Sequence, residues 1–192
     1  MKRFAVVSLA FASTFLVFSA GAFAQDSSQQ LEAGDAQLIH NLDTASAMKG
    51  QLVTAKLTQT IETPEGVKLR NGTRLLGYVA EVQPSRDKSP ARLALTFDKA
   101  QLKNGKEIPI KATLVQVSPA GAAADMQEKV AANDSFDQQP GLLSGVSMHS
   151  AVQGESSGML TSRDRNIHLE AGTQMQIAVA PQPETATTRA GS

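Results

Sequence analysis

The sequence predicts an all-β protein, a small antiparallel β-barrel or sandwich of about seven to eight short strands, carried behind an export signal. Three observations carry that reading. Apolar and polar residues alternate over residues 51–63, 91–98, 107–117 and 166–179, the period of a half-buried strand. Turn signals at Asn71-Gly72, Asn104-Gly105 and Gly172 fall between strand-like runs. Helical spacing is confined to one stretch, residues 122–132.

The chain opens with two cations, Lys2 and Arg3, then an apolar run that ends in Ala22-Phe23-Ala24. Small residues at the two positions a signal peptidase reads predict cleavage between Ala24 and Gln25, so residues 1–24 are expected to be a signal peptide. No later apolar stretch is as long, and no membrane span is expected after cleavage. Removing Lys2 and Arg3 from the 18 cations leaves 16 against 18 acids, a balance that attracts neither nucleic acid nor an anionic surface. With no cysteine, the fold has no disulfide and no thiolate metal site to rest on. Five of the seven Phe lie before position 24, so the core of the remaining chain must be aliphatic.

Residues 25–35 are polar and read as a flexible leader, with a single β domain expected over 36–180. In residues 51–63, Val53, Ala55, Leu57 and Ile61 fall on one face and Thr54, Lys56, Thr58 and Thr60 on the other. The strand after Asn71-Gly72 carries apolar residues on both faces (Leu75, Leu76, Tyr78, Val79), and Gly77 in its middle predicts a bulge or a close backbone approach. Residues 83–90 hold Pro84 and Pro90 and break the ladder. Asn104-Gly105 predicts a tight hairpin with positive φ at both central positions, returning through Ile108, Ile110, Ala112 and Leu114. Residues 118–159 are rich in Gly, Ser, Ala and Gln and read as an irregular excursion, with a short helix at 122–132 and no assignment for 142–159. Ile167, Leu169, Met175, Ile177 and Val179 restore alternation, and residues 181–192 read as a disordered tail.

One phrase is written twice. Residues 69–79, LRNGTRLLGYV, and residues 169–179, LEAGTQMQIAV, share Leu69/Leu169, Gly72/Gly172, Thr73/Thr173 and Val79/Val179. Two accounts fit: a duplicated unit, or two hairpins that reach the same turn chemistry independently.

Chemistry-bearing motifs are sparse. His40, His149 and His168 have no metal-ligand spacing among them, and Met148-His149-Ser150 lacks the nucleophile-elbow pattern. The carboxylates Glu62, Glu65, Glu81, Asp98, Glu107 and Glu170 lie at turns or on polar strand faces. No Gly-rich phosphate loop or basic-aromatic stripe is present, so no catalytic, cofactor-binding or metal-binding residue and no cofactor is expected.

The strand order resembles the C-terminal β-barrel of the TrbI-like scaffold family of conjugal-transfer (type IV secretion) systems. The pieces that carry the likeness are Gly50-Gln51-Leu52-Val53, then Gly72-Thr73-Arg74-Leu75-Leu76-Gly77, residues 93–97, Asn104-Gly105-Lys106-Glu107-Ile108, residues 137–145 and residues 167–179, within about 39–179. Family members also carry an inner-membrane helix, a Pro-rich region and an outer-membrane antenna, for which this chain has no counterpart. The resemblance therefore implies a shortened stand-alone barrel in the periplasm or outer envelope of a Gram-negative-type bacterium. The expected function is a non-enzymatic envelope module that binds a protein partner or itself. The alternatives are a secreted hydrolase using His149 or a carboxylate pair, and a periplasmic binder of a small apolar ligand inside the barrel.

Overall fold

The computed structural model describes residues 30–87, 89–122 and 129–181. Among these residues there are strands and no helix: β1 (Gln30–Leu38), β2 (Leu42–Asp43), β3 (Leu52–Leu57), β4 (Ile61–Glu62), β5 (Lys68–Leu69), β6 (Arg74–Gln83), β7 (Ala91–Gln101), β8 (Glu107–Ser118), β9 (Lys129–Ala131), β10 (Ser135–Leu143), β11 (Val146–Ala151), β12 (Gly158–Ser162), β13 (His168–Leu169) and β14 (Gln174–Pro181). Six of them close a barrel. The order is β6-β3-β1-β14-β8-β7, every pair antiparallel, and the β7–β8 pairing shuts the ring. The sequence left barrel and sandwich open, and the ring decides for the barrel. Six strands enclose less room than the eight that just suffice for a side-chain-filled interior. Leu57, Leu75, Leu95, Phe97, Leu114 and Ile177 occupy it, each at most 1 % exposed.

The repeated phrase is one part of a larger internal symmetry. The step from Ala33 to Leu52 is 19 and from Tyr78 to Ala178 is 100, and the same two steps carry all five β1–β14 pairs onto the five β3–β6 pairs. Where β1 meets β3, the pairs Ala36↔Leu57 and Leu38↔Ala55 exchange under this operation, and Gln37↔Lys56 sits on the pseudo-two-fold axis. The next strands follow suit. One extra residue, Asp98 in β7 and Val115 in β8, interrupts the ladder at the matching place, between Leu76 and Gly77 in one unit and between Gln176 and Ile177 in the other. The turns match bond for bond. Gly72 and Gly172 both take φ +88, and each donates its N–H to a strand-end carbonyl, Leu57 O or Leu38 O, at 2.8 Å. Leu69 then pairs with Ile61, and Leu169 with Leu42, so two small two-stranded sheets cap the barrel in equivalent ways. The likeness is therefore of whole units and extends well beyond the turn.

Gly77 is the close approach its position predicts, since a Cβ there would overlap the Thr96 carbonyl oxygen in β7. The 102–106 turn departs from expectation. Only Gly105 has positive φ, at +82; Leu102 N–H donates to Lys106 O, and Asn104 instead caps the loop by accepting from Lys106 N–H. A three-residue loop ending in a left-handed glycine absorbs strand twist without asking Asn104 to leave its ordinary conformation.

The symmetry breaks between β7 and β8. Their pairing stops at Lys99↔Pro109, and Ser157 wedges them apart: its N–H donates to Leu95 O, its carbonyl accepts from Leu114 N–H, and its Oγ accepts from Phe97 N–H. From that wedge an arm of three strands, β12, β11 and β10, grows off the first half of β7. It folds back to β8, where the Gln138 side chain pairs with Val117 and the Ser150 hydroxyl donates to Leu114 O.

Three expectations are corrected here. Residues 30–35, assigned to a flexible leader, lie in β1, where Leu31 and Ala33 are buried beneath the chain's own insertion; small Ala and Gly residues had hidden the alternation. The 118–159 excursion is largely the ordered arm, including 142–159, and residues 129–131 of the supposed helix form β9 against β1, while 123–128 lie outside the described residues. The strands outnumber the seven or eight expected because the two-residue capping strands are too short to show a period and the strands of the arm and β9 lie in the segment read as an irregular excursion. Residues 1–29, with the Ala24-Gln25 cleavage site, and residues 182–192 of the tail also lie outside the described residues.

Candidate functional site

Outward-facing residues on the β3–β6 ladder form three rungs. Lys56 stands opposite Arg74, Thr54 opposite Leu76, and Leu52 opposite Tyr78, which in turn faces Thr96 on β7. The last rung is apolar and open: Leu52 is 85 % exposed, Tyr78 38 %, and Met48 just before the strand 70 %. Tyr78 also forms one wall of a groove of ≈ 460 Å³ where β7 and β8 part, bounded by Phe97, Ile110 and Glu155.

The pseudo-symmetric twin of this face is built differently. Ala33 and Ala178 replace Leu52 and Tyr78, and they are buried at 6 % and 0 %. What buries them is the chain's own insertion: Val130 of β9, Val152 and Phe136 pack with Leu31, Val115 and these alanines into a second apolar cluster. Small side chains where the arm lands, and large ones where no described residue lands, give two equivalent surfaces opposite fates. The inner rung differs too, since Gln37 and Gln174 are the twins of Lys56 and Arg74.

The turn residues singled out in the sequence serve architecture. Asn71 Nδ2 donates to Thr58 O, and Asn41 Oδ1 accepts from Ala171 N–H at the second turn, so both corners are pinned by asparagine side chains to the strand end they face. The histidines do not converge. His40 is exposed, His168 Nδ1 contacts Asp43 Oδ2 at 3.2 Å, and His149 Nδ1 contacts Asp137 Oδ1 at 2.7 Å across β10–β11. The His149–Asp137 pair is exposed, and the neighbouring Ser150 points to the other face and into β8, away from the imidazole. Among the described residues no three His, Asp or Glu side chains gather as metal ligands. A second open groove lies beside Arg165, whose Nη2 donates to both Ser144 O and Ser144 Oγ.

Of the carboxylates, Glu62 pairs with Lys68 and Glu107 with Lys99 on the surface. Asp35 is the exception. One of its oxygens is buried without a hydrogen-bond partner among the described residues, and burial pushes its carboxyl above the ordinary value.

The sequence carried a signal for the open face that alternation alone passed over. Placing Val53, Ala55 and Leu57 inward leaves Leu52 on the polar side, and reading β6 as apolar on both faces leaves Leu76 and Tyr78 outside. No described helix is long and apolar enough to cross a membrane. No family model and no curated protein matches the chain.

Proposed function

We propose that this protein is an exported, non-enzymatic module of the bacterial cell envelope, a barrel whose outer face holds a protein partner. The observation that carries the reading is the contrast between twin surfaces: one lined with alanine and covered by the chain's own insertion, the other lined with Leu52, Tyr78 and Met48 and left open. Apolar side chains that large, clustered on one rung and not needed for the core, are the usual mark of an interaction site. A closed antiparallel barrel in an exported chain also fits the likeness to a TrbI-like scaffold barrel in shortened form. The filled interior weighs against a small apolar ligand, which would have to displace Phe97 and its neighbours.

The test is a photo-reactive residue at position 52 in cells that make the protein. The reading expects one discrete cross-linked adduct, absent when the same residue replaces exposed Gln139. Irradiation that yields no adduct from position 52 would overturn it.

The hydrolase alternative keeps one specific observation, the His149–Asp137 contact at 2.7 Å, an orientation that suits a general base. A hydrolytic activity found by substrate screening and lost in His149→Ala would favour it.

A further inference from the structure

Resting on the interaction-module reading, we infer that the β3–β6 face docks an extended segment of a different protein in which a large apolar side chain and a carboxylate stand about four residues apart. The spacing comes from the rungs. Leu52/Tyr78 and Lys56/Arg74 are separated by the Thr54/Leu76 rung, so an extended segment laid along the strands meets them with alternate side chains. Its apolar group covers Leu52 and Tyr78, the middle residue rests on Leu76, and its carboxylate lies between the two cations.

Lys56 and Arg74 are the unexplained charges on this face. Like charges directly opposite in a ladder destabilise it. Neither cation takes part in an ion pair among the described residues. The barrel does not need them, because the twin rung is Gln37 and Gln174 and keeps the same register. An arriving carboxylate would convert this repulsion into attraction.

The twin face shows that apolar side chains from outside the barrel seat on this kind of surface: Val130, Val152 and Phe136 pack onto the cluster around Ala33 and Ala178, with β9 pairing edge-on to the start of β1. Among the described residues nothing covers the open face in this way.

A second copy is a poorer occupant. Among the described residues Met48, Leu52, Tyr78 and Leu142 are the large exposed apolar ones, and the positions four away from them are Thr44, Lys56, Arg74, Val82, Gln138 and Val146, with no acid. In a symmetric face-to-face dimer the cations would meet either each other or the apolar rung. An anionic bilayer would gain only two cations from this face, on a mature chain with more acids than cations.

The chain carries one tyrosine and no tryptophan, so tyrosine emission reports on Tyr78 alone. The mature chain is titrated with the blocked peptide Thr-Phe-Thr-Val-Thr-Glu-Thr, following that emission and amide chemical shifts. Saturable binding with shifts confined to β3, β6 and the second half of β7, which lies beside the three rungs, is expected. Replacing the peptide's Glu by Lys should weaken binding at least about tenfold. In a Lys56→Glu, Arg74→Glu variant, whose exposed changes leave the core untouched, the preference should reverse toward the Lys peptide.

The inference fails if neither peptide saturates by about 2 mM, if both bind equally, or if the charge-reversed variant keeps the original preference. It also fails if the chain instead dimerises through Leu52 or partitions onto phosphatidylserine-containing vesicles. A peptide that fails while a protein adduct still forms at position 52 removes this recognition chemistry and leaves the module reading in place.

Discussion

The side-chain amide of Gln138 pairs with Val117 as a neighbouring strand would, accepting from its N–H at 2.7 Å and donating to its carbonyl at 2.8 Å. An open edge of β8 is thereby closed by a side chain, which blunts a surface that would otherwise invite strand pairing. Gln138→Ala leaves two buried backbone groups unsatisfied and should destabilise the protein by about 2–4 kcal/mol. Urea unfolding checks this against Gln139→Ala, an exposed neighbour whose loss should stay within about 0.5 kcal/mol.

The equivalence of Gly72 and Gly172 makes a paired prediction. Both have φ +88 and both start a barrel strand, so Gly72→Ala and Gly172→Ala should each cost about 1–2 kcal/mol, and by similar amounts. Gly77→Ala is a different case. Its new methyl would meet the β7 backbone, which cannot swing aside as a flexible side chain could, and the loss should exceed either turn variant. Thermal melts of the three variants measure the ranking.

Asp35 sets a pH dependence. Burial raises its folded-state value, so the native protein holds this proton over a range in which the unfolded chain has released it. Its contribution is fully present below the ordinary carboxylate value and is lost as pH rises through the raised one. Asp35→Asn should remove that decline. Melting temperatures of both proteins across mildly acidic to neutral pH should therefore diverge as pH rises, with the variant the more stable at the upper end.

Much of the barrel was legible in the sequence because its strands alternate cleanly. Val53, Ala55 and Leu57, or Leu93, Leu95 and Phe97, announce their faces without help, and the two Gly-Thr turns announce the corners. What escaped was written in residues that carry little hydrophobic contrast. Ala33, Gly34 and Ala36 make β1 a strand through the partners on both sides of it, which no local window contains. The arm is ordered by contacts from Gln138, Ser150 and Ser157 to backbone groups 21 to 60 residues away, and such contacts have no sequence period. Leu52 and Tyr78 were visible as apolar residues, but their exposure became meaningful only beside the buried alanines that replace them in the twin.

The most direct measurement exchanges the two faces. Leu52→Ala with Tyr78→Ala gives the open face its twin's side chains, while Ala33→Leu with Ala178→Tyr does the reverse. Urea unfolding of both double variants should show the first within about 1 kcal/mol of the parent and the second destabilised by about 3 kcal/mol or more, because overpacking lifts the arm from its seat. Equal losses in the two would mean that the faces are equally part of the core, and the claim of one surface sealed and one kept open would be wrong.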